Sequence, residues 1–257
     1  MQQLFPEAPA DRSDDLSDDE LAELYAADHR PPHPHRPWVL ANMVVSLDGA
    51  TAVDGVSGHL GGDGDRRVFR AIRSLPDVIM AGSGTVVAEN YGAPTMTEEL
   101  RAARVARGQA PIPELAVVSN SLGLDPGSRL FEADHRPIIV TSPTSPVDRR
   151  AELADVADVL MIEPAEPATT GVDLGAALTA LHERGHRVVL VEGGPALNGQ
   201  LVAEGLVDEW CVSIAADVVG GTSKRMVEGP ALPADHSLTL RRVLEHDGTL
   251  FLRYTAR

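Results

Sequence analysis

The sequence is poor in cysteine, basic residues and aromatic residues, and it has no long apolar run. Its 257 residues include one cysteine, Cys211, so no disulfide can form within the chain, and a reducing cytoplasm is the expected location. Lys and Arg number 22 against 38 Asp and Glu, and this acidic balance argues against a nucleic-acid-binding surface. No apolar stretch approaches the roughly 20 residues of a membrane span. Residues 1–15 lack the basic start and apolar run of a signal peptide.

Several motifs of known chemistry are also missing. The segment Gly82-x-Gly84-x-x-Val87 lacks the third glycine of the dinucleotide fingerprint, and there is no P-loop lysine. Ser83 is not part of a G-x-S-x-G motif, which argues against a hydrolase. Cys211 lies within a predicted strand, where a core cysteine is expected rather than a nucleophile.

The chain has an apolar content of 43%, which is typical of a globular protein, and it divides near residue 37. Residues 1–37 are predicted to be an appendage. Ser17 and Glu20 form a capping box for a short helix, and the proline-rich stretch 29–37 is a linker. No carboxylate or cysteine completes a metal site with the linker histidines, so no metal is expected. Residues 38–257 are predicted to form the functional domain.

Strand and helix patterns alternate along this domain. Apolar strands are predicted from residue 38 to a turn at Asp48-Gly49 and at residues 77–82, 115–118, 138–141, 156–162, 188–191 and 207–219. Helices are predicted at 65–75, 86–89, 97–107, 149–153, 174–184 and from 195. This order predicts an α/β fold with a mixed, mostly parallel sheet and helices on both faces. Asp247-Gly248, between two further strand patterns, predicts a C-terminal antiparallel hairpin.

The most informative stretch is RVVLVEGGPALNGQL at residues 187–201. A buried strand runs into Glu192, Gly193 and Gly194, and Pro195 then begins a helix. Free N–H groups at a helix start suit a phosphate, and glycines allow a ligand to approach the backbone. An ordinary connecting turn is the alternative. A carboxylate beside an anion site does not favour stability, so Glu192 is predicted to serve a ligand.

Two further features belong to the predicted site. The long loop 50–64 is typical of a functional segment, and the helix after it carries Arg66, Arg70 and Arg73 on one polar face. At least one of these arginines is a candidate contact for an anionic substrate, although a solvated basic face is the alternative. Gly82–Thr85 forms a second glycine turn between a strand and a helix, which again indicates a nucleotide or phosphorylated ligand.

Four segments together resemble the pyrimidine reductase of riboflavin biosynthesis, the reductase half of a bifunctional deaminase–reductase. They are SLDG at 46–49, GHLGGDGD at the end of the loop, DVIMAGSGTVVAEN, and VVLVEGGPALNGQLVAEGLVDE. The resemblance covers about residues 38–255 and implies a dihydrofolate-reductase-like fold. The H-x-E and P-C-x-x-C signature of the deaminase half is absent. The resemblance therefore implies a stand-alone reductase, expected to form a homodimer.

The resemblance also implies the cofactor, the substrate and the site residues. NADPH would reduce a phosphoribosylamino-pyrimidine, whose sugar C1′ becomes the ribityl carbon. Substrate contacts are implied at Ser57, Arg73 and Glu192, with Arg73 on the phosphate. Cofactor contacts are implied at His59, Gly82, Thr85, Glu89, Ser119, Gly193, Gly194, Pro195, Ala196, Leu197 and Asn198. Among these, Ser119 is expected at the adenosine 2′-phosphate, and the segment that starts at Gly194 at the diphosphate.

The chemistry requires the hydride donor to be held against the acceptor, and it requires a proton. Asp48 and Glu192 are the candidate proton donors, with capping of the turn as the alternative role of Asp48. Ala50 replaces a basic residue that bacterial members usually carry, and Met96 stands where a second arginine for the substrate phosphate is expected. Two alternatives therefore stay open: reduction of dihydrofolate or another pterin, and a nucleotide-binding module without catalysis.

Overall fold

Strands and helices alternate through the computed structural model, which describes residues 1–7, 15–132, 136–164, 171–232 and 236–257. The strands are β1 (Gln2–Phe5), β2 (Trp38–Ser46), β3 (Val78–Gly82), β4 (Glu114–Val118), β5 (Ile138–Thr141), β6 (Asp158–Met161), β7 (Val188–Val191), β8 (Glu209–Ala215), β9 (Leu238–His246) and β10 (Thr249–Ala256). The helices are α1 (Asp18–Ala26), α2 (Asp63–Arg73), α3 (Ser83–Ala88), α4 (Glu98–Ala106), α5 (Val147–Ala154), α6 (Leu174–Glu183) and α7 (Pro195–Ala203).

These strands belong to one sheet with the order β1-β9-β10-β8-β2-β7-β3-β4-β5-β6. The described chain divides into two compact units. The first contains residues 1–31, 39–75 and 190–257, and the second contains residues 32–38 and 76–189. The predicted α/β fold with a mixed sheet is confirmed.

The first unit combines parallel and antiparallel pairing. Strand β2 pairs with β8 in parallel, whereas β10 pairs with both β8 and β9 in antiparallel fashion. The β9–β10 turn has positive φ angles at Asp247 (49°) and Gly248 (79°), as a two-residue type I′ turn requires. The predicted C-terminal hairpin is therefore confirmed.

The second unit contains four parallel strands, in which β3 pairs with β4, β4 with β5, and β5 with β6. Its inner strands are apolar because they are buried on both faces, whereas β6, at the edge of the sheet, is partly exposed. In β3, the run Val78–Ala81 has no exposed surface, and β5 is buried along its whole length. Asp77, directly before β3, holds the start of β7. Its carboxylate accepts hydrogen bonds from the N–H groups of Arg187 and Val188.

The N-terminal segment is not the appendage expected from the sequence. The capping box of Ser17 and Glu20 is present, and residues 29–37 have no regular structure. However, α1 buries Leu21 and Tyr25, and β1 pairs with β9 at the edge of the sheet. No local pattern indicated this packing, since β1 is short and the partners of α1 lie far along the chain.

Other elements differ from the predictions mainly at their ends. Helix α3 begins at Ser83 rather than Val86, and α2 begins two residues before Asp65. Strand β8 stops at Ala215, and the residues after it bind to the turn that follows β2, where the Leu47 N–H donates to the carbonyl of Asp217 and Asp48 accepts from the Val219 N–H. Among the helices that can be described, none is long and apolar enough to cross a membrane.

Candidate functional site

The glycine turn after β7 has the predicted geometry. Gly193 has a φ angle of +84°, a value that favours glycine, and the Gly193–Gly194 peptide bond is cis. Gly194 is the N-cap of α7, Pro195 occupies the first turn, and no side chain caps the helix. By contrast, Ser17, Thr97 and Asp173 cap α1, α4 and α6. The start of α7 is thus suited to an anion from outside the chain.

The side chains along this helix start limit how it can bind a ligand. Ala196 is exposed, but Leu197 is 6% exposed and Asn198 is fully buried. A contact of Leu197 to a diphosphate would therefore come from its backbone N–H rather than its side chain, whereas Pro195 has no N–H to donate. Asn198 donates to the carbonyl oxygen of Met226 at 2.8 Å, and its own buried Oδ1 has no hydrogen-bond partner within the described chain. Asn198 is consequently better placed to hold the turn than to reach a cofactor with its Nδ2.

Glu192 and Arg73 form a bidentate ion pair at the entrance to this turn. Arg73 Nε lies 2.7 Å from Oε1 and its terminal Nη2 lies 2.7 Å from Oε2. The Glu192 side chain is 3% exposed and that of Arg73 is 22% exposed. The Arg73 guanidinium also lies over the Phe69 ring, 4.2 Å from its centroid. The structure thus brings these two predicted substrate residues together, with the Nε and Nη2 edge of the Arg73 guanidinium turned to Glu192.

Asp48 anchors a loop, and this corrects its prediction as a proton donor. Its carboxylate accepts hydrogen bonds from the hydroxyl of Ser46 and from the N–H groups of Val219 (3.1 Å) and Gly220 (2.7 Å). These bonds, led by that of Ser46, lower the pKa of Asp48 to about 2. The group is therefore ionised at neutral pH and has no proton to donate, which favours the capping role.

The partner of Asp48 is a segment that the sequence did not single out, residues 217–229, which we call the strap. The strap contacts the turn after β2, where the N–H of Thr51 donates to Ser223 Oγ and its hydroxyl donates to the carbonyl of Lys224. Its other end contacts α7 through Met226 and through the Glu228 N–H, which donates to the carbonyl of Pro195. The strap therefore links the turn at Asp48 to the glycine turn at the start of α7. The only local signal in the sequence was its Gly220-Gly221 pair, with positive φ angles.

The loop before α2 carries two predicted contacts. Ser57 and His59 lie in a single 3-10 turn, where Ser57 is partly exposed and His59 is exposed. A third residue near this loop, Asp65, was not predicted. Burial raises the pKa of Asp65 against the opposing effect of a hydrogen bond with Ser213. Among the described residues, no group of three or more His, Cys, Asp or Glu is arranged to hold a metal ion.

The second unit carries the remaining predicted cofactor residues. Gly82 is the N-cap of α3, again without a side-chain cap, and Thr85 and Glu89 follow on the helix and at its end. Ser119 is only 3% exposed, and its hydroxyl accepts a hydrogen bond from the N–H of Leu122. Ser119 thus stabilises its own turn, which does not favour a direct contact with a 2′-phosphate.

Comparison with known proteins identifies relatives over most of the chain. The family model described as the RibD C-terminal domain matches residues 37–250. The 2,5-diamino-6-ribosylamino-4(3H)-pyrimidinone 5′-phosphate reductase of Methanothermobacter thermautotrophicus is 32% identical over 226 residues, which are 86% of this chain and 99% of that protein. The reductase of the same name from Archaeoglobus fulgidus is 30% identical over 190 residues, 72% of this chain and 83% of that protein.

A solved structure has the same architecture. The pyrimidine reductase-like protein of Corynebacterium diphtheriae superposes with a TM-score of 0.80 at 26% sequence identity. The superposition covers 92% of this chain and 98% of that one.

Proposed function

Because this chain belongs to the RibD C-terminal domain family, we propose that it is a pyrimidine reductase of riboflavin biosynthesis. Its substrate is a 2,5-diamino-6-ribosylamino-4(3H)-pyrimidinone 5′-phosphate, the compound named for the two archaeal relatives. The reaction reduces the ribosylamino group to a ribitylamino group. It needs a nicotinamide cofactor, for which we propose NADPH, and we propose that the enzyme acts as a homodimer.

The observation that carries the proposal is the uncapped start of α7 behind the Gly193–Gly194 turn. A helix start with free N–H groups and a positive dipole end fits the diphosphate of a dinucleotide. The residues present therefore fit a nicotinamide dinucleotide, with backbone contacts from the segment that begins at Gly194.

The protein contributes placement and electrostatics to the reaction. When bound, the reduced nicotinamide supplies the hydride. Glu192, held by Arg73, provides a hydrogen-bond acceptor for donor groups of the substrate. Asp48 and the strap hold the turn after β2 in place and do not transfer a proton. The remaining contacts stay proposals that the resemblance implies. They are Ser57 for the substrate and His59, Gly82, Thr85, Glu89 and Ser119 for the cofactor.

The proposal is tested by following oxidation of NADPH and NADH with three acceptors. These are the diamino-pyrimidinone 5′-phosphate, its deaminated counterpart and dihydrofolate. We expect turnover with the diamino-pyrimidinone and faster turnover with NADPH than with NADH. Turnover with dihydrofolate alone would identify a pterin reductase. Binding of NADPH without turnover of any acceptor would identify a binding module, and either result would refute the proposal.

A further inference from the structure

Asp65, in the first turn of α2, is an acidic side chain that neither anchors the strap nor belongs to the site predicted from the sequence. It is partly buried, and burial raises its pKa although a hydrogen bond with Ser213 and the charge of Arg66 act in the opposite direction. Ser213 lies on β8 and is 2% exposed. The Asp65 carboxylate is therefore turned from solvent toward the sheet, where a hydroxyl group holds one side of it.

The backbone on both sides of Asp65 is closely packed. At Gly61, an added Cβ would lie 2.5 Å from Oδ2 of Asp65, so the carboxylate occupies the space that a side chain would need there. At Gly64, an added Cβ would lie 2.8 Å from the ring of His246 on β9. These two glycines allow the end of the loop and the start of α2 to approach their neighbours, and the carboxylate is held between the loop and β8.

Asp65 also lies beside the proposed substrate contacts of the first unit. Gly61, against which its carboxylate packs, is two residues beyond the turn that contains Ser57. Along α2, Asp65, Phe69 and Arg73 follow one another at a spacing of four residues and share one face of the helix. Asp65 is thus placed between the loop that carries Ser57 and the end of α2 that carries Arg73. A substrate that contacts both residues lies next to this carboxylate.

Stabilisation of the helix dipole is the ordinary role of an acidic residue in a first turn, and α2 has another residue for it. Asp63 occupies the same turn, with a side chain that is 67% exposed and lies 3.7 Å from Arg66. Asp63 therefore serves the dipole without losing its hydration. Asp65 instead gives up hydration, which is unfavourable for a carboxylate unless other groups donate hydrogen bonds to it. Its placement is that of a group that binds a ligand.

The chemistry of a carboxylate defines the ligand groups that fit it. An ionised carboxylate accepts hydrogen bonds and donates none, and it can accept two parallel N–H groups at once. The proposed substrate offers such a pair, because a 2-amino-4(3H)-pyrimidinone carries an N–H at ring position 3 next to the amino group at position 2. In the counterpart that is deaminated at position 2, a carbonyl oxygen replaces this amino group. One hydrogen bond to the carboxylate then becomes a repulsion between two acceptors.

We propose that the Asp65 carboxylate accepts the N–H groups at positions 2 and 3 of the pyrimidine ring and thereby selects the diamino-pyrimidinone over its deaminated counterpart. This inference rests on the proposed function, and it adds the residue that distinguishes the two pyrimidines. Ser213 is the positioning residue, since its hydroxyl orients the carboxylate from the sheet.

Asp65→Asn tests the proposal because an amide reverses one half of the recognition. Its Oδ1 still accepts the N–H at position 3, whereas its Nδ2 donates to a carbonyl at position 2 and opposes an amino group there. Steady-state kinetics with both pyrimidine 5′-phosphates give the ratio of their kcat/KM values, diamino over deaminated. We expect a ratio of about 100 or more in the wild type and a decrease of about 100-fold or more in Asp65→Asn. Asp63→Asn, an exposed control in the same turn, leaves the ratio unchanged.

The ratio decides because a purely structural role of Asp65 would lower both kcat/KM values alike. A ratio that is unchanged in Asp65→Asn overturns the proposal. Circular dichroism and unfolding midpoints establish whether the variant is folded. If it is not, Asp65→Ala takes its place, because alanine has a high helix propensity and no polar group. The ratio then falls toward one, and an unchanged ratio again overturns the proposal.

The outcomes distinguish this inference from the proposed function. A wild type that reduces the deaminated pyrimidine at least as well as the diamino compound is still a pyrimidine reductase, but selection by Asp65 is refuted. If the wild type reduces neither, the reductase proposal fails, and calorimetric binding of both pyrimidines decides the inference. A preference for the diamino compound that Asp65→Asn abolishes supports it. A preference that survives in Asp65→Asn, binding without preference, or no binding refutes it.

Discussion

Arg30 joins the N-terminal segment to the sheet, and its substitution by alanine tests whether this segment is an integral part of the fold. The Arg30 guanidinium donates to both carboxylate oxygens of Glu209 on β8, from Nε at 2.9 Å and from Nη2 at 2.8 Å. Glu209 is fully buried and Arg30 is 8% exposed. Arg242, Arg253 and Asp28 complete this cluster, which within the described chain has three positive and two negative groups.

The destabilisation expected from Arg30→Ala depends on which charged groups still contact Glu209 in the variant. Two hydrogen bonds to a charged group are lost, each worth about 1.5–3 kcal/mol. A buried carboxylate left without any cation typically costs about 3–5 kcal/mol. Glu209 is not left alone, however, since Arg253 Nε still donates to it at 2.7 Å. We therefore expect Arg30→Ala to lower the free energy of unfolding by about 2–4 kcal/mol, a large fraction of the 5–15 kcal/mol typical of a domain.

The assay is urea unfolding followed by tryptophan fluorescence. Trp210 is 6% exposed and directly follows Glu209 on β8, so its emission reports on this part of the first unit. Arg66→Ala removes an exposed pair in the same unit and should change the free energy by less than about 1 kcal/mol. If Arg30→Ala shifts the transition no more than Arg66→Ala does, the N-terminal segment is not anchored as described, and the segment is dispensable after all.

The pH dependence gives an independent check on the same cluster. Burial raises the pKa of Glu209, but the charges and hydrogen bonds of Arg30 and Arg253 outweigh it, and the pKa lies below its ordinary value of 4.5. A depressed carboxyl pKa contributes stability above the unfolded-state value, and this contribution is lost as the pH falls through the folded-state value. The stability difference between wild type and Arg30→Ala should therefore be largest near neutral pH and should shrink well below pH 4.

Three further predictions concern the site. Gly199→Ala should destabilise the protein by about 1–3 kcal/mol in thermal or urea unfolding, because the added Cβ would lie 1.7 Å from the carbonyl oxygen of Glu228 and would displace the strap. The control is Gly84→Ala in α3, where an added Cβ would meet no atom within 4 Å, so this variant should be neutral or stabilising. Asp48→Asn should destabilise the fold at pH 7 and lose this effect as the pH falls through about 2, where wild-type Asp48 takes up a proton. A difference that is independent of pH would contradict the anchoring role of its charge. Gly194→Val should weaken NADPH binding in fluorescence titration while circular dichroism stays unchanged, and normal binding by a folded variant would exclude this turn as the diphosphate site.

The order and type of most elements were predictable because they depend on neighbouring residues. The capping box at Ser17 depends on Glu20, three residues away, and the β9–β10 turn depends on the positive φ angles that Asp247 and Gly248 tolerate. The start of α7 was likewise predictable from neighbouring residues, since Pro195 and the glycines before it favour a helix N-terminus. The apolar runs of β3 and β5 likewise indicated strands buried on both faces.

The roles of the site residues depended on contacts between distant parts of the chain. Arg73 and Glu192 are 119 residues apart, and the sequence indicated two separate substrate contacts where the fold forms one ion pair. Asp48 and Val219 are 171 residues apart, so the hydrogen bonds from Val219 and Gly220 that help to lower the pKa of Asp48 exist only after the strap has packed, whereas the larger effect of Ser46 is local. Propensity and periodicity act over a few residues and predict which elements form. Which charged groups meet is decided by tertiary packing, because only packing removes them from water and makes their pairing necessary.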